Sequence, residues 1–109
     1  MQIQIQSIHF DAGEQLQSQA IEKLSKLEKL SDRIEYCNVI LKKEKSDNKK
    51  KFLVEVKLAV PKQDLFASER AESFGQALDM VMDDLKKQIK KHKEKLKEFE
   101  REKANKFLS

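Results

Sequence analysis

In MQIQIQSI, Ile3 and Ile5 alternate with glutamine, a period of two that predicts a half-buried strand over residues 1–8. The period then changes. Leu16, Ala20, Leu24 and Leu27 recur along one face of a helix that runs to about residue 30. Asp11 and Glu14 stand at capping-box spacing ahead of it, with Gly13 as the competing N-cap. Residues 34–43, IEYCNVILKK, are rich in β-branched and aromatic side chains and predict a second strand. The polar EKSDNKKK that follows reads as a hairpin loop. KFLVEVKLAV sets Phe52, Val54, Val56, Leu58 and Val60 on one face of a third strand. Pro61 ends it, PKQD turns the chain, and LFAS is a short fourth strand.

A last helix, starting between residues 68 and 73, carries Phe74, Leu78, Val81, Leu85, Ile89, Leu96 and Phe99 in one stripe, interrupted by His92 and Lys103. From residue 72 to 100 it spans about 43 Å at ~1.5 Å per residue. That exceeds the width of a sheet of four small strands, so its end is expected to overhang the core and to fray beyond about residue 100. The order β-α-β-β-β-α predicts an α+β two-layer sandwich. Strands one and two are parallel across the first helix, strands two to four are antiparallel, and the two helices lie side by side on one face of a four-stranded sheet. Residues 1–96 form the domain and 97–109 a helical extension and tail.

Composition changes this picture little. A chain of 109 residues supports one modest core, and although 39% of residues are charged, the apolar ones are patterned as in a folded domain. Two glycines and one proline leave little room for elaborate loops, where active sites usually sit. The single Cys37 lies in the apolar run CNVIL and reads as a buried thiol in a reducing, cytoplasmic setting. No apolar run approaches the ~18 residues of a membrane span.

Charge changes it more. The net charge is +4, but residues 86–106 hold ten Lys/Arg against four Glu, net +6, and the remaining thirteen basic and fifteen acidic residues sum to −2. At 100° per residue, Lys86, Lys90, Lys93, Lys97 and Arg101 fall on one flank of the apolar stripe and Lys87, Lys91 and Lys95 on the other. On the first helix Lys26, Lys29 and Arg33 fall to one side. Any one of these lysines is most simply a solvated side chain, and the Glu–Lys alternation of KEKLKEFEREK supports a helix. The cluster is different, because balanced charge would support a helix equally well. Its excess predicts a polyanionic partner such as RNA, bound through phosphates.

Catalytic chemistry is not evident. His9 and His92, at opposite ends of the chain, match no metal-ligand spacing with Cys37 and read as surface or boundary residues. Asp83–Asp84 has Lys86 and Lys87 as neighbours. No phosphate-binding loop or nucleophile elbow occurs. No enzyme, metal, cofactor or small-molecule substrate is predicted.

KLSKLEKLSDRI (23–34), VILKKEK (39–45), LFASE (65–69) and LKKQIKKHKEKL (85–96), in this order, resemble the bacterial ribosome hibernation promoting factor family, also described as ribosome-associated inhibitor or ribosomal subunit interface protein. The resemblance runs from Met1 to about Leu96 and is to the short form. It implies a β-α-β-β-β-α fold and a regulator that occupies the messenger and transfer RNA channel of the small ribosomal subunit in stressed or stationary cells, with a second hibernation factor as a further partner. It implies RNA-facing residues at Lys23, Lys26 and Lys29, on the pattern Lys87-Gln88-Ile89-Lys90-Lys91, and onward at Lys93 and Lys95. That selects the Lys87, Lys91 and Lys95 flank. The chain departs from the family pattern at Gln17, at Ser73-Phe74-Gly75, and at Asp84, where many members carry a basic residue. Two rival readings are a free-standing double-stranded RNA binder and a protein-interaction module acting through the projecting C-terminal helix.

Overall fold

The computed structural model describes residues 1–45 and 49–108, the side chains of 104–108 excepted. The tip of the predicted EKSDNKKK loop therefore lies outside the described residues. The elements are β1 (Gln2–Ile8), α1 (Glu14–Ser25) continued by a 3-10 turn (Lys26–Lys29), β2 (Tyr36–Lys43), β3 (Phe52–Val60), β4 (Gln63–Ala71) and α2 (Phe74–Leu108). The sheet order is β1-β2-β3-β4, with β1 and β2 parallel and the other pairs antiparallel. The parallel pair needs a crossover, which α1 supplies.

One sheet face carries the core. Cys37, Val39 and Leu41 of β2, Val54, Val56, Leu58 and Val60 of β3, and Leu65, Ala67 and Ala71 of β4 point into it. They meet Ala20, Leu24 and Leu27 from the first helical segment and Ala77, Leu78, Val81, Met82, Leu85 and Ile89 from α2. Phe74 closes one end, stacked on Phe10 and edge-on to Phe52, each with ring centroids 4.9 Å apart. Both helices thus share one layer and the opposite sheet face is left open, with Phe66 exposed on it.

Four expectations change. The fourth strand is nine residues long, not LFAS alone, because ladder hydrogen bonds pair Val60 with Gln63 and Ala59 with Asp64 regardless of side-chain polarity. The turn therefore shrinks from PKQD to Pro61 and Lys62, and Lys62 takes φ 73° to close it. The last helix starts only at Phe74, where the Ser73 hydroxyl accepts the Gln76 N–H at 3.1 Å. Nor does it end near residue 100. Arg33 pairs with Glu100 at 3.4 Å and the Lys62 ammonium sits 3.1 Å from the Phe99 ring centroid, so two contacts hold the overhanging turns. At the first helix the choice between caps falls on Gly13, which makes no side-chain capping bond.

His92 is a further correction. It does not interrupt the stripe as a boundary residue but is buried, and its Nε2 lies 2.8 Å from the Pro61 carbonyl oxygen. The ring sits one turn beyond Ile89, on the side of α2 that faces the β3–β4 turn.

Candidate nucleic-acid interface

The two helices run in the same direction. Lys23 meets Asp79, Leu30 meets Lys93 and Arg33 meets Glu100, so contacts advance together along both. Two neighbouring hollows open along the seam where the end of the first helical segment meets α2.

On the α1 side, the 3-10 turn matters. With three residues per turn, positions i and i+3 eclipse, so Lys26 and Lys29 stand one behind the other, both exposed. Lys23 is in a different state. Its ammonium lies 2.8 Å from Asp79 Oδ1 and 3.4 Å from the Gly75 carbonyl oxygen, and its side chain is half-buried. That charge is already spoken for inside the molecule.

On α2 the cations divide between two sides. Lys86, Lys90 and Lys93 line a hollow of about 240 Å³ with Leu30 and Ile89 as its floor, and the Lys93 ammonium donates to the Leu30 carbonyl at 2.8 Å. This flank faces the first helix. Lys97 continues it, lining the neighbouring hollow with Ser31 and Arg33. The other flank faces the free edge of β4. There the Gln88 amide donates to the Phe66 carbonyl at 2.8 Å and accepts the Phe66 N–H at 3.4 Å, and Asp84 approaches Glu69. Lys87, Lys91 and Lys95 are exposed and follow Asp84 and Gln88 at three- and four-residue intervals, on that outer side.

The seven residues named from the sequence are therefore not one patch. Lys93 borders the inter-helix hollow, Lys26 and Lys29 stand exposed on the 3-10 turn, Lys87, Lys91 and Lys95 form a ridge around the back of α2, and Lys23 is paired with Asp79. Lys86 and Lys90, set aside by the family pattern, are brought to the same hollow. Helical phase alone separates the two flanks of α2, but which one faces α1 depends on where α2 lies over the sheet.

Charge also changes sign along α2. Asp79, Asp83 and Asp84 occupy its first half and every basic residue follows from Lys86 onward, an order that suits the helix macrodipole, whose negative end lies at the C-terminus. Hydrogen bonding to Asp84, then burial, then the charge of Asp84 push the Glu69 carboxyl above the usual carboxylate range. Among the described residues no group of His, Cys, Asp and Glu is placed to hold a metal, and no helix is long and apolar enough to cross a membrane.

A cationic groove on a β-α-β-β-β-α fold can be compared with known proteins. The solved structure of a ribosomal subunit interface protein from Coxiella burnetii superposes with a TM-score of 0.75 at 24% identity, covering 85% of this chain and 98% of that one. The Protein Y N-terminal domain from Thermus thermophilus superposes at 0.72 with 18% identity, covering 84% and 99%. At those identities the likeness shows the fold. Sequence carries the rest. A ribosome hibernation promoting factor of Pseudomonas putida is 36% identical over 95 residues, 87% of this chain and 89% of its own. The one from Escherichia coli K12 is 33% identical over 98 residues, 90% and 99% respectively. The family described as Sigma 54 modulation protein / S30EA ribosomal protein matches residues 3–97. Strand order, helix placement and sequence thus agree, and the chain belongs to the ribosome hibernation promoting factor family.

Proposed function

We propose that this protein is a non-enzymatic, cytoplasmic translation regulator that binds ribosomal RNA of the small subunit and occludes the messenger and transfer RNA channel, silencing ribosomes under stress. The observation that carries the reading is the row of exposed lysines on two co-directional helices held against one rigid sheet. Lys26, Lys29 and Lys93, with Lys86 and Lys90, would meet phosphates along the groove, and Lys87, Lys91 and Lys95 would meet them along the ridge. A surface of lysines reads no base sequence, so specificity must come from the shape of the RNA cleft.

Co-sedimentation with small ribosomal subunits tests this. Charge reversal at both Lys87 and Lys91 is expected to abolish binding while the circular dichroism spectrum stays native. Unchanged binding would remove the ridge from the interface. The same reversal at Lys86 and Lys90 tests the groove separately. Wild-type binding should weaken steeply with added salt, because each neutralised phosphate releases counterions.

A free-standing double-stranded RNA binder would bind plain duplexes as tightly as subunits. A protein-interaction module acting through the α2 overhang would lose its partner on truncation after Leu96, which the RNA-binding reading predicts to be largely tolerated.

A further inference from the structure

A second concentration of positive charge lies at the other end of the sheet. Residues 42–51, KKEKSDNKKK, contain six lysines against one Glu and one Asp, net +4. Of these, the described Lys43 and Lys51 lie against Phe52, which packs on Phe74 at the start of α2, whereas the groove and ridge lie on the later turns of α2.

The base of this hairpin is built. The Glu44 N–H donates to the Lys51 carbonyl at 2.8 Å, extending the ladder beyond the Lys43–Phe52 pair. The Lys43 and Lys51 ammonium groups lie 6.0 and 5.9 Å from the Phe52 ring centroid, and Phe52 is itself fixed by Phe74. Cation–π contact and packing thus hold two charges over the aromatic end of the core. The one carboxylate of the hairpin base does not cancel them, because Glu44 is engaged by Arg70 at 2.9 Å. Among the described residues, Lys43, Lys45, Lys49 and Lys51 form no ion pair. His9, Lys43, Glu44, Lys45 and Lys51 line a hollow of about 320 Å³ there.

We propose that the base of the β2–β3 hairpin is a second phosphate-binding site for RNA, separate from the helix surface and formed by Lys43, Lys45, Lys49 and Lys51. This rests on the RNA-binding reading above. Lys87 and Lys95 lie 13 and 21 residues beyond Phe74, about 20 and 32 Å along α2 at 1.5 Å per residue. Asp79, Asp83 and Asp84 separate the two cationic regions. Two like-charged contacts that far apart, with an acidic stretch between, suit a long folded polyanion that reaches both. A membrane surface would want an apolar anchor beside the lysines, and the three phenylalanines here are turned onto one another.

The test uses the full chain with K43Q/K45Q/K49Q/K51Q, compared with K87E/K91E, in binding to small ribosomal subunits across a salt series. Each phosphate contact contributes about 0.7–0.9 to the slope of log affinity against log salt, so the hairpin variant should lose a slope of about 3 and at least tenfold in affinity at physiological salt. K45Q/K49Q, which leaves the contacts with Phe52 alone, should lose about half of that slope with an unchanged melting temperature. If the hairpin variants bind as wild type while K87E/K91E does not, the second site is overturned and the helix surface stands. If all variants bind as wild type, the RNA reading falls and this inference with it. A hairpin variant that loses affinity for phosphatidylserine vesicles or a polyglutamate peptide, but none for subunits, also overturns the proposal.

Discussion

Lys23 Nζ lies 2.8 Å from Asp79 Oδ1, tying the first helix directly to the second. The pair divides the lysines of the first helix into one that is neutralised within the fold and two that are not. Replacing Lys23 with Ala should therefore weaken binding to ribosomal subunits far less than Lys26→Ala. Asp79→Asn should tighten it, because a cation is released at the groove wall. Stability should change by no more than about 1 kcal/mol, since the Asp79 side chain is 69% exposed and water screens the pair. Affinity at two salt concentrations, with a melting curve for each variant, measures both effects.

His92 and Pro61 are the second relationship to test. The imidazole fills a core position and donates to the carbonyl of the β3–β4 turn, so His92→Ala removes a hydrogen bond and leaves space. The expected loss is about 1–3 kcal/mol, read as a lower denaturant midpoint at unchanged m-value. His92→Gln, which keeps a donor, should lose less. The Ala variant should also raise hydrogen exchange in residues 93–103, because the neighbouring turn holds Phe99 through Lys62.

The architecture was legible because period-two and period-3.6 stretches succeed one another with few ambiguous residues between. What was not legible shares one cause. Gln63 and Asp64 look like turn and Glu69 and Arg70 like the approach to the last helix, yet they are strand residues because backbone pairing with β3 ignores their polarity. His92 looks like a break in an apolar stripe, and it is inside because a carbonyl from the Pro61 turn waits for it. The lysines could be counted but not assigned. Whether Lys23 is free, and which flank of α2 meets the first helix, are settled by residues more than fifty positions away. The lysines around the β2–β3 hairpin could have been found in the sequence, since their net +4 in ten residues comes close to the +5 of residues 86–95 in α2. A loop reading of that segment hid it.

Cys37 offers a check on the core itself. It is fully buried in β2, and desolvation pushes its thiol up to about 12. At pH 8 only about one such thiol in 10⁴ is ionised, and the thiolate is the reactive form. An aromatic disulfide reagent should leave the native protein unmodified and titrate one thiol per chain in denaturant. Reaction on mixing would mean that β2 is not covered as described.

Asp84 of α2 and Glu69 of β4 meet at the outer side of the helix. Two carboxylates facing each other raise the Glu69 pKa in the folded state, so the native protein holds a proton that the unfolded chain releases. Stability should then fall as pH rises from the ordinary carboxylate range through the raised value, and the loss should persist at neutral pH. Asp84→Asn should flatten that slope, because the amide can donate to the Glu69 carboxylate. Asp84→Lys should reverse the interaction, gaining no more than about 1 kcal/mol because the site is open to solvent. It would also extend the ridge of Lys87, Lys91 and Lys95 by one turn. The same variant should therefore be more stable at pH 7 and bind small ribosomal subunits more tightly, with a steeper salt dependence by about one contact. A gain in stability without any gain in binding would mean that the ridge stops short of Asp84, and that the RNA follows the groove.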